Sequence, residues 1–240
     1  MEAGRVGSGS NSMPAPRAPH LSDVATEQRI LEAAAQVFAD VGYERATIRE
    51  VCRRAAANVA AVNYHFESKE RLYLETLRWA MRLCHGADQE EMLAFAARDD
   101  VSPRDRLTGL VRRFAVTMLG ARPEWHTRLL LRELGRPTRG DLTTKAILEE
   151  FMAPRFRALA TAIAPFLPAG TDHETLALHV MSVTGQVLYH RIATPAALHF
   201  LGRDAYDAEF VERVAAHVAG FTLAALSAGG AGARPAEATS

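Results

Sequence analysis

At 240 residues, with 48% hydrophobic and 23% charged side chains, the chain is long enough to bury one sizeable core, or a small head joined to a larger body. No apolar run approaches the length that crosses a bilayer, so the composition speaks for a soluble globular protein and against a membrane or disordered one. The formal net charge is zero, which lends no chain-wide support to binding a polyanion and moves that question to local clusters.

In chain order, residues 1–22 are rich in Gly, Ser and Pro and lack the apolar middle of a secretory signal, so a flexible arm without export is expected. A first helix is predicted from Thr26, with Ile30, Ala34, Val37, Phe38 and Val41 at helical spacing and Gly42 ending it. A second opens at Thr47-Ile48-Arg49-Glu50, read as a capping box in which Thr47 covers the Glu50 amide and Glu50 reaches back. Ile48, Val51, Cys52 and Ala55 form its buried stripe. The small residues Ala55, Ala56 and Ala57 permit a tight turn before Asn58, the N-cap of a short third helix that reaches His65. Val62 and Phe66, four apart, anchor that helix. A fourth starts at Ser68 and carries Leu72, Thr76, Trp79, Ala80 and Leu83 onward.

Beyond residue 100 the signals remain helical. Ser102-Pro103 opens one helix with Leu107, Leu110, Val111, Phe114 and Met118, and another runs from about Trp125 to Leu134, stopping at Gly135 ahead of Pro137. The next spans about Asp141 to Phe166, with Pro154 expected to kink or split it. Thr171-Asp172-His173-Glu174 is read as a capping box for a helix to Ile192, and Asp207 caps a last one to Leu226. Residues 228–240 are expected to be a disordered tail. No strand-like alternation and no internal repeat is present, so an all-α fold of about nine helices is predicted: a helix-turn-helix head over 23–84 and a larger helical-bundle body over 85–227.

Cys52 and Cys84 stand far apart with no CxxC spacing, which fits a reducing cytoplasm better than stapling or zinc. None of the nine histidines lies in HExxH spacing, and no phosphate loop, GxSxG elbow or paired-acid constellation appears. No catalytic residue, cofactor or metal is therefore expected. Three short helices with a tight second turn form a unit whose third helix fits the DNA major groove, although such units also occur as plain packing. The segment from Glu44 to Arg54 adds Arg45, Arg49, Arg53 and Arg54 against Glu44 and Glu50, a basic stretch in a neutral chain.

The run TIREVCRRAAANVAAVNYHFESKERL, Thr47 to Leu72, closely resembles the DNA-binding head of the TetR family of bacterial regulators. It departs at Ala56 and Ala57, where that family usually carries Gly and Val; Ala56 is expected to tighten or strain the turn. The resemblance covers about residues 24 to 84 and implies a DNA-binding role. With Val62 and Phe66 turned inward, Val59, Ala60, Asn63 and Tyr64 face outward. Asn63 suits an adenine edge, and Val59 and Ala60 suit a thymine methyl. Tyr64, His65 and Lys69 look like the family's phosphate contacts, with His65 equally readable as a packed helix end. Thr47 offers cap amides and a hydroxyl to the DNA backbone, and Arg49 and Asn58 complete the expected set.

For the body, the same resemblance implies a small-molecule effector pocket and a homodimer built on the last two long helices, with operator DNA as partner and no membrane. A weaker second resemblance, of Trp125–Leu134 with Gly135-Arg136-Pro137, is to the C-terminal domain of one branch of these regulators. Arg128 and Arg132, four apart, suit either an anionic effector or a solvated edge paired with Glu133 or Glu149, and Tyr189-His190-Arg191 reads in the same two ways. Trp79, Phe114, Met118, Trp125, Phe151, Met152, Phe156 and Tyr189 are candidates for a cavity wall or for filled core. Trp125, Arg128, Arg132, Phe156, Tyr189 and His190 are the expected effector residues. Two other classes remain: an enzyme, without a motif to support it, and a purely structural helical protein, which leaves the Thr47–Leu72 pattern unexplained.

Overall fold

The computed structural model describes residues 21–85, 88–135 and 145–229, and these form eleven α-helices, one π-helix and one 3₁₀ turn. The expected arm up to residue 20, the helix start at Asp141, Pro137 and most of the tail lie outside them. No strand occurs among the described residues. In chain order the helices are α1 (Leu21–Arg45), α2 (Ile48–Ala55), α3 (Val59–Phe66), α4 (Lys69–His85), α5 (Asp88–Ala96), α6 (Pro103–Leu119) and α7 (Glu124–Gly135). The π-helix (Ala146–Met152) leads into α8 (Ala153–Ile163) and the 3₁₀ turn (Ala164–Phe166), followed by α9 (His173–Ile192), α10 (Thr194–Leu201) and α11 (Ala208–Gly229).

Several boundaries differ from the expectation. The first helix is already formed at Leu21, so Thr26 lies inside it and accepts from Arg29 rather than capping. Gly42 does interrupt it, at φ 78, ψ 167, and the backbone hooks on to Arg45. That positive-φ backbone favours glycine, and a Cβ there would stand 2.6 Å from the Arg132 guanidinium, which would have to swing aside. Pro154 splits its helix as anticipated: the turns before it are π-helical, with the Ala153 amide bonded to the Leu148 carbonyl, and regular α geometry resumes around the proline. The cap of α9 is Asp172, whose side chain accepts from the Thr175 amide at 2.8 Å; Thr171 donates to the Pro168 carbonyl instead. Asp207 caps α11 through the Phe210 amide, as expected. Helices α5 and α10 were not anticipated, which raises the count above nine.

Two hydrophobic cores organise the chain. The body core joins one face of α6, namely Leu107, Leu110, Val111, Phe114, Ala115 and Leu119, to α8, α9 and the buried stripe of α11. Arg112 and Glu212 lock α6 to α11 at the surface through a two-toothed pair at 2.6 and 2.5 Å. Gly109 lets α5 approach α6, because a Cβ there would meet the Phe95 ring at 2.7 Å. The α11 window Ala208–Ala228 has a mean hydropathy of 1.2, long and apolar enough by those measures to cross a membrane, contrary to the reading from composition. Half of that window is buried within the protein, as in a core helix.

The other core belongs to the head, α1 to α4, but it also takes in Trp125 and Leu129 of α7 and Ile147 and Phe151 of the π-helix. The head is therefore sealed by elements that lie past residue 120 in sequence. Trp79 of α4 stacks on Trp125 at 5.6 Å, and Tyr73, fully buried, donates its hydroxyl to Glu133 at 2.7 Å. The Tyr73 ring also meets Phe38 edge-on at 4.7 Å. A hydrogen bond to a buried carboxyl group is among the more valuable ones. Tyr73→Phe is expected to lower the unfolding free energy by about 1.5 to 3 kcal/mol, read as a lower urea midpoint.

Candidate nucleic-acid interface and body cavity

The head is built from short helices held by side-chain caps. Thr47 accepts from the Glu50 amide at 3.2 Å, and Asn58 accepts from the Ala61 amide at 2.7 Å, so each of α2 and α3 starts on an oxygen supplied by its own N-cap. Only half of the expected capping box forms. The Glu50 carboxylate turns the other way and accepts from Arg53 at 2.7 and 2.8 Å and from Arg54 at 2.9 Å. These hydrogen bonds and charges, those of Arg53 foremost, hold Glu50 down at about 2. Arg54 also reaches Asp40 of α1 at 2.9 Å. Two of the four arginines in the basic segment are thus engaged by neighbouring carboxylates, while Arg49 remains exposed on α2.

Ala56 ends α2 in the left-handed region at φ 48, the strain that its place in the turn predicted. Ala57 follows and packs part-buried against the head core. In α3, Val62 and Phe66 are buried, which turns Val59, Ala60, Asn63 and Tyr64 to the outside. Tyr64 is 77% exposed. His65 is half-buried, edge-on to Tyr64 at 5.1 Å. Lys69, at the start of α4, sits 4.4 Å over the Tyr43 ring and donates to the Glu44 carbonyl at 3.3 Å. The ammonium group is thereby fixed beside the turn that leads into Thr47.

The body contains a cavity of about 550 Å³ between α4, α6, α7, the π-helix, α8 and α9. Of the eight wall-or-core candidates, Phe114, Met118, Met152 and Phe156 line it, together with Met81, Leu130, Leu188 and others, while Trp79, Trp125 and Phe151 pack in or against the head core and Tyr189 is exposed. Of the six expected effector residues, Phe156 is in this wall. Helix register decides the rest. On α7, His126, Thr127, Leu130 and Leu131 face the cavity, so Trp125, Arg128, Leu129 and Arg132 face the head. Trp125 is stacked on Trp79, Arg128 pairs with Asp40 at 3.3 Å, and Arg132 reaches the Ala39 carbonyl at 3.5 Å. On α9, Thr184, Leu188 and Arg191 face the cavity, which leaves Tyr189 on the exposed side and His190 bonded through Nδ1 to the Tyr206 hydroxyl at 2.8 Å.

Of the charged groups of the wall, Arg191 was a candidate from the sequence, where it suited an anion or a solvated edge, and Arg122 and Arg155 were not. Arg122 donates to the Leu83 carbonyl at 3.1 Å and to the Thr117 carbonyl at 2.8 Å. Arg155 donates to the Phe151 carbonyl at 3.0 Å, and Arg191 lines the same space. His126 is 6% exposed and its Nε2 lies 3.1 Å from the Ala80 carbonyl. Burial, opposed by that hydrogen bond and reinforced by Arg122 and Arg191, brings it down to about 4, so the ring is neutral at physiological pH.

With this geometry established, likeness to known proteins is informative. Residues 30–76 match the family model described as bacterial regulatory proteins, tetR family. Residues 103–226 match the model of the C-terminal domain of the HTH-type transcriptional dual regulator CecR, and this span includes the Trp125–Gly135 segment. The CecR protein of Shigella flexneri is 24% identical over 194 residues, which is 78% of this chain and 85% of that protein. The HTH-type transcriptional repressor AcnR of Corynebacterium diphtheriae is 32% identical over 102 residues, 42% of this chain and 54% of its own. Among solved structures, a TetR-family transcriptional regulator from Mesorhizobium loti superposes with a TM-score of 0.59 at 18% identity, covering 86% of this chain and 98% of the other.

Two expectations follow from the local geometry. Ala56→Gly removes the left-handed strain and should raise stability by about 1 kcal/mol, seen as a higher urea midpoint at unchanged slope. His126 takes up its proton at about 4 in the folded protein against 6.5 for an ordinary histidine. Between those values the unfolded chain binds more protons, so stability is full above pH 6.5 and declines as the pH falls towards 4. Urea midpoints measured across this window should fall for the wild type and fall less steeply for His126→Gln.

Proposed function

The chain belongs to the TetR family of bacterial transcriptional regulators, with a C-terminal domain of the CecR type, and we propose on that premise that it is a cytoplasmic repressor released from its operator by a small molecule in the body cavity. It is a DNA-binding regulator of a non-enzyme family, in keeping with a sequence free of catalytic motifs. The observation that carries the proposal is the double allegiance of α7: one face closes the head core, and the other lines the cavity. A ligand that shifts α7 acts on α1 and α4, and through them on the exposed residues of α3. Ligand and operator then compete through the conformations that they prefer rather than through a shared site.

In this reading Asn63, Val59 and Ala60 contact bases, while Thr47, Arg49, Asn58, Tyr64, His65 and Lys69 hold the DNA backbone. The exposure of α3 and the fixed seat of Lys69 beside the turn into Thr47 support that division. The partner of each head is a second copy of the chain. Leu178, Met181, Tyr189 and Ile192 of α9 and Phe221 of α11 are each more than half exposed, an apolar face suited to self-association. Two heads on a two-fold axis double the number of bases read, which one eight-residue helix cannot do alone. AcnR is named a repressor and CecR a dual regulator, so reporter assays should score both signs.

DNA from upstream of the gene and its neighbours, titrated by anisotropy at two salt concentrations, tests the reading. Asn63→Ala should relax base preference at one position of each half-site at a cost of about 1 to 3 kcal/mol. Lys69→Ala should weaken binding to all sequences alike and reduce the salt slope by about one. Unchanged DNA affinity in both variants would overturn the assignment of these contacts.

A further inference from the structure

The surface that the cavity wall presents is almost wholly apolar. Met, Leu, Ile, Val and Phe make up most of the lining, and no Asp or Glu belongs to it among the described residues. Arg122, Arg155 and Arg191 also line it, but none of them is free, since each is engaged within the protein. Arg122 donates to the carbonyls of Leu83 and Thr117, and Arg155 to that of Phe151. With so little polar surface on the wall, what these half-buried side chains show it is their methylene stems. Two further polar groups are satisfied in the same way. The Thr184 hydroxyl donates to the Val180 carbonyl, and the imidazole of His126, neutral at physiological pH, has its Nε2 on the Ala80 carbonyl. The edge where the cavity meets solvent is apolar too: Leu148 and Met152 of the π-helix and Met181 and Ile192 of α9 line it and are also exposed.

Charged occupants fit such a wall poorly. A cation would find no carboxylate, and an anion would have to draw a guanidinium off the partners it already has; either would be stripped of water against hydrocarbon. An uncharged apolar molecule gains by leaving water and gives up little on entry. We infer that the cavity, taken as the effector site proposed above, binds an uncharged and mainly hydrocarbon molecule held by shape and apolar contact. About 550 Å³ is within the ordinary range for an organic ligand of drug size. Four of the chain's seven methionines, Met81, Met118, Met152 and Met181, line this one space, and their unbranched side chains repack readily. The site thus admits neutral molecules of different outline, flexible chains and flat rings alike, rather than a single shape.

The test uses the full-length protein and the dye N-phenyl-1-naphthylamine, which is uncharged at neutral pH and brightens in apolar surroundings. The dye is titrated at two salt concentrations and then displaced by three probes of one chain length, 1-dodecanol, dodecanoate and dodecyltrimethylammonium, each below its micellar or solubility limit. The dye should bind with an affinity that salt does not weaken, and the alcohol should displace it at a concentration at least about tenfold below that of either charged probe. Met118→Trp and Met152→Trp, which fill the cavity, should each weaken dye binding at least about tenfold while the helical circular dichroism is unchanged. If Met118→Trp does not fold, Met152→Trp and the wild-type series decide. No dye binding, a charged probe that displaces the dye as well as the alcohol does, an affinity that falls with salt, or full dye binding in every variant that folds overturns the inference. Operator release is measured in parallel: a neutral probe that binds with this preference but leaves DNA bound supports the ligand class and removes the effector reading.

Discussion

The seat of α7 on the head is the contact on which the rest of the structure depends. A helix of twelve residues in a small domain usually keeps one face for solvent, but most of α7 is claimed by neighbours. Trp125 and Leu129 complete the head core, Glu133 is tied to Tyr73, and Arg132 lies against the hook at Gly42. Asp40 is shared by Arg54 of α2 and Arg128 of α7, so one carboxylate on α1 links the helix-turn-helix to the body. Remove α7 and the head would expose Trp79 and part of its core; move α7 and the hook at Gly42 must follow. Close-packed interiors transmit such shifts because they have little room to absorb them.

The same economy appears in α9. One side of it, Thr184, Leu188 and Arg191, is cavity wall; another, Val180, Val183 and Val187, is body core; a third carries Leu178 and Tyr189 at the surface. Met181 and Ile192 are both exposed and part of the cavity lining, so the cavity reaches the surface that the proposed dimer would use. In the proposed dimer, occupation of the cavity and assembly of two copies would be adjacent events on one helix. Linkage makes the two reciprocal: whatever one does to the affinity of the other is returned in equal measure.

The head was readable because its determinants are local. Thr47 and Asn58 cap amides three residues ahead, and Val62 and Phe66, four apart on one face, are both buried in the head core, as the spacing required. Where the reading failed, a competing partner had intervened, near or far in sequence. Glu50 has Arg53 and Arg54 within reach and leaves its own N-terminus. Arg128 and Arg132 were plausible anion ligands until the rotation of α7 about its axis was known, and three successive leucines, Leu129 to Leu131, conceal that rotation from any periodicity argument. The segments that became α5 and α10 are short, eight or nine residues, and owe their helicity to packing against the body more than to their own pattern. His126 illustrates the limit best: nothing nearby in sequence distinguishes a buried, neutral imidazole beside a cavity from a solvated one.

Arg53 and Arg54, bound up with Glu50 and Asp40, have a consequence for how such a regulator spends its time in a cell. Non-specific attraction to DNA grows with the number of phosphates that unengaged cations can neutralise, and a neutral chain whose head arginines are partly occupied offers few of them. Random genomic sequence is then a poor trap. A larger share of the molecules stays free between encounters, and occupancy of the true site depends on base contacts and on the number of copies made rather than on long sliding along the chromosome.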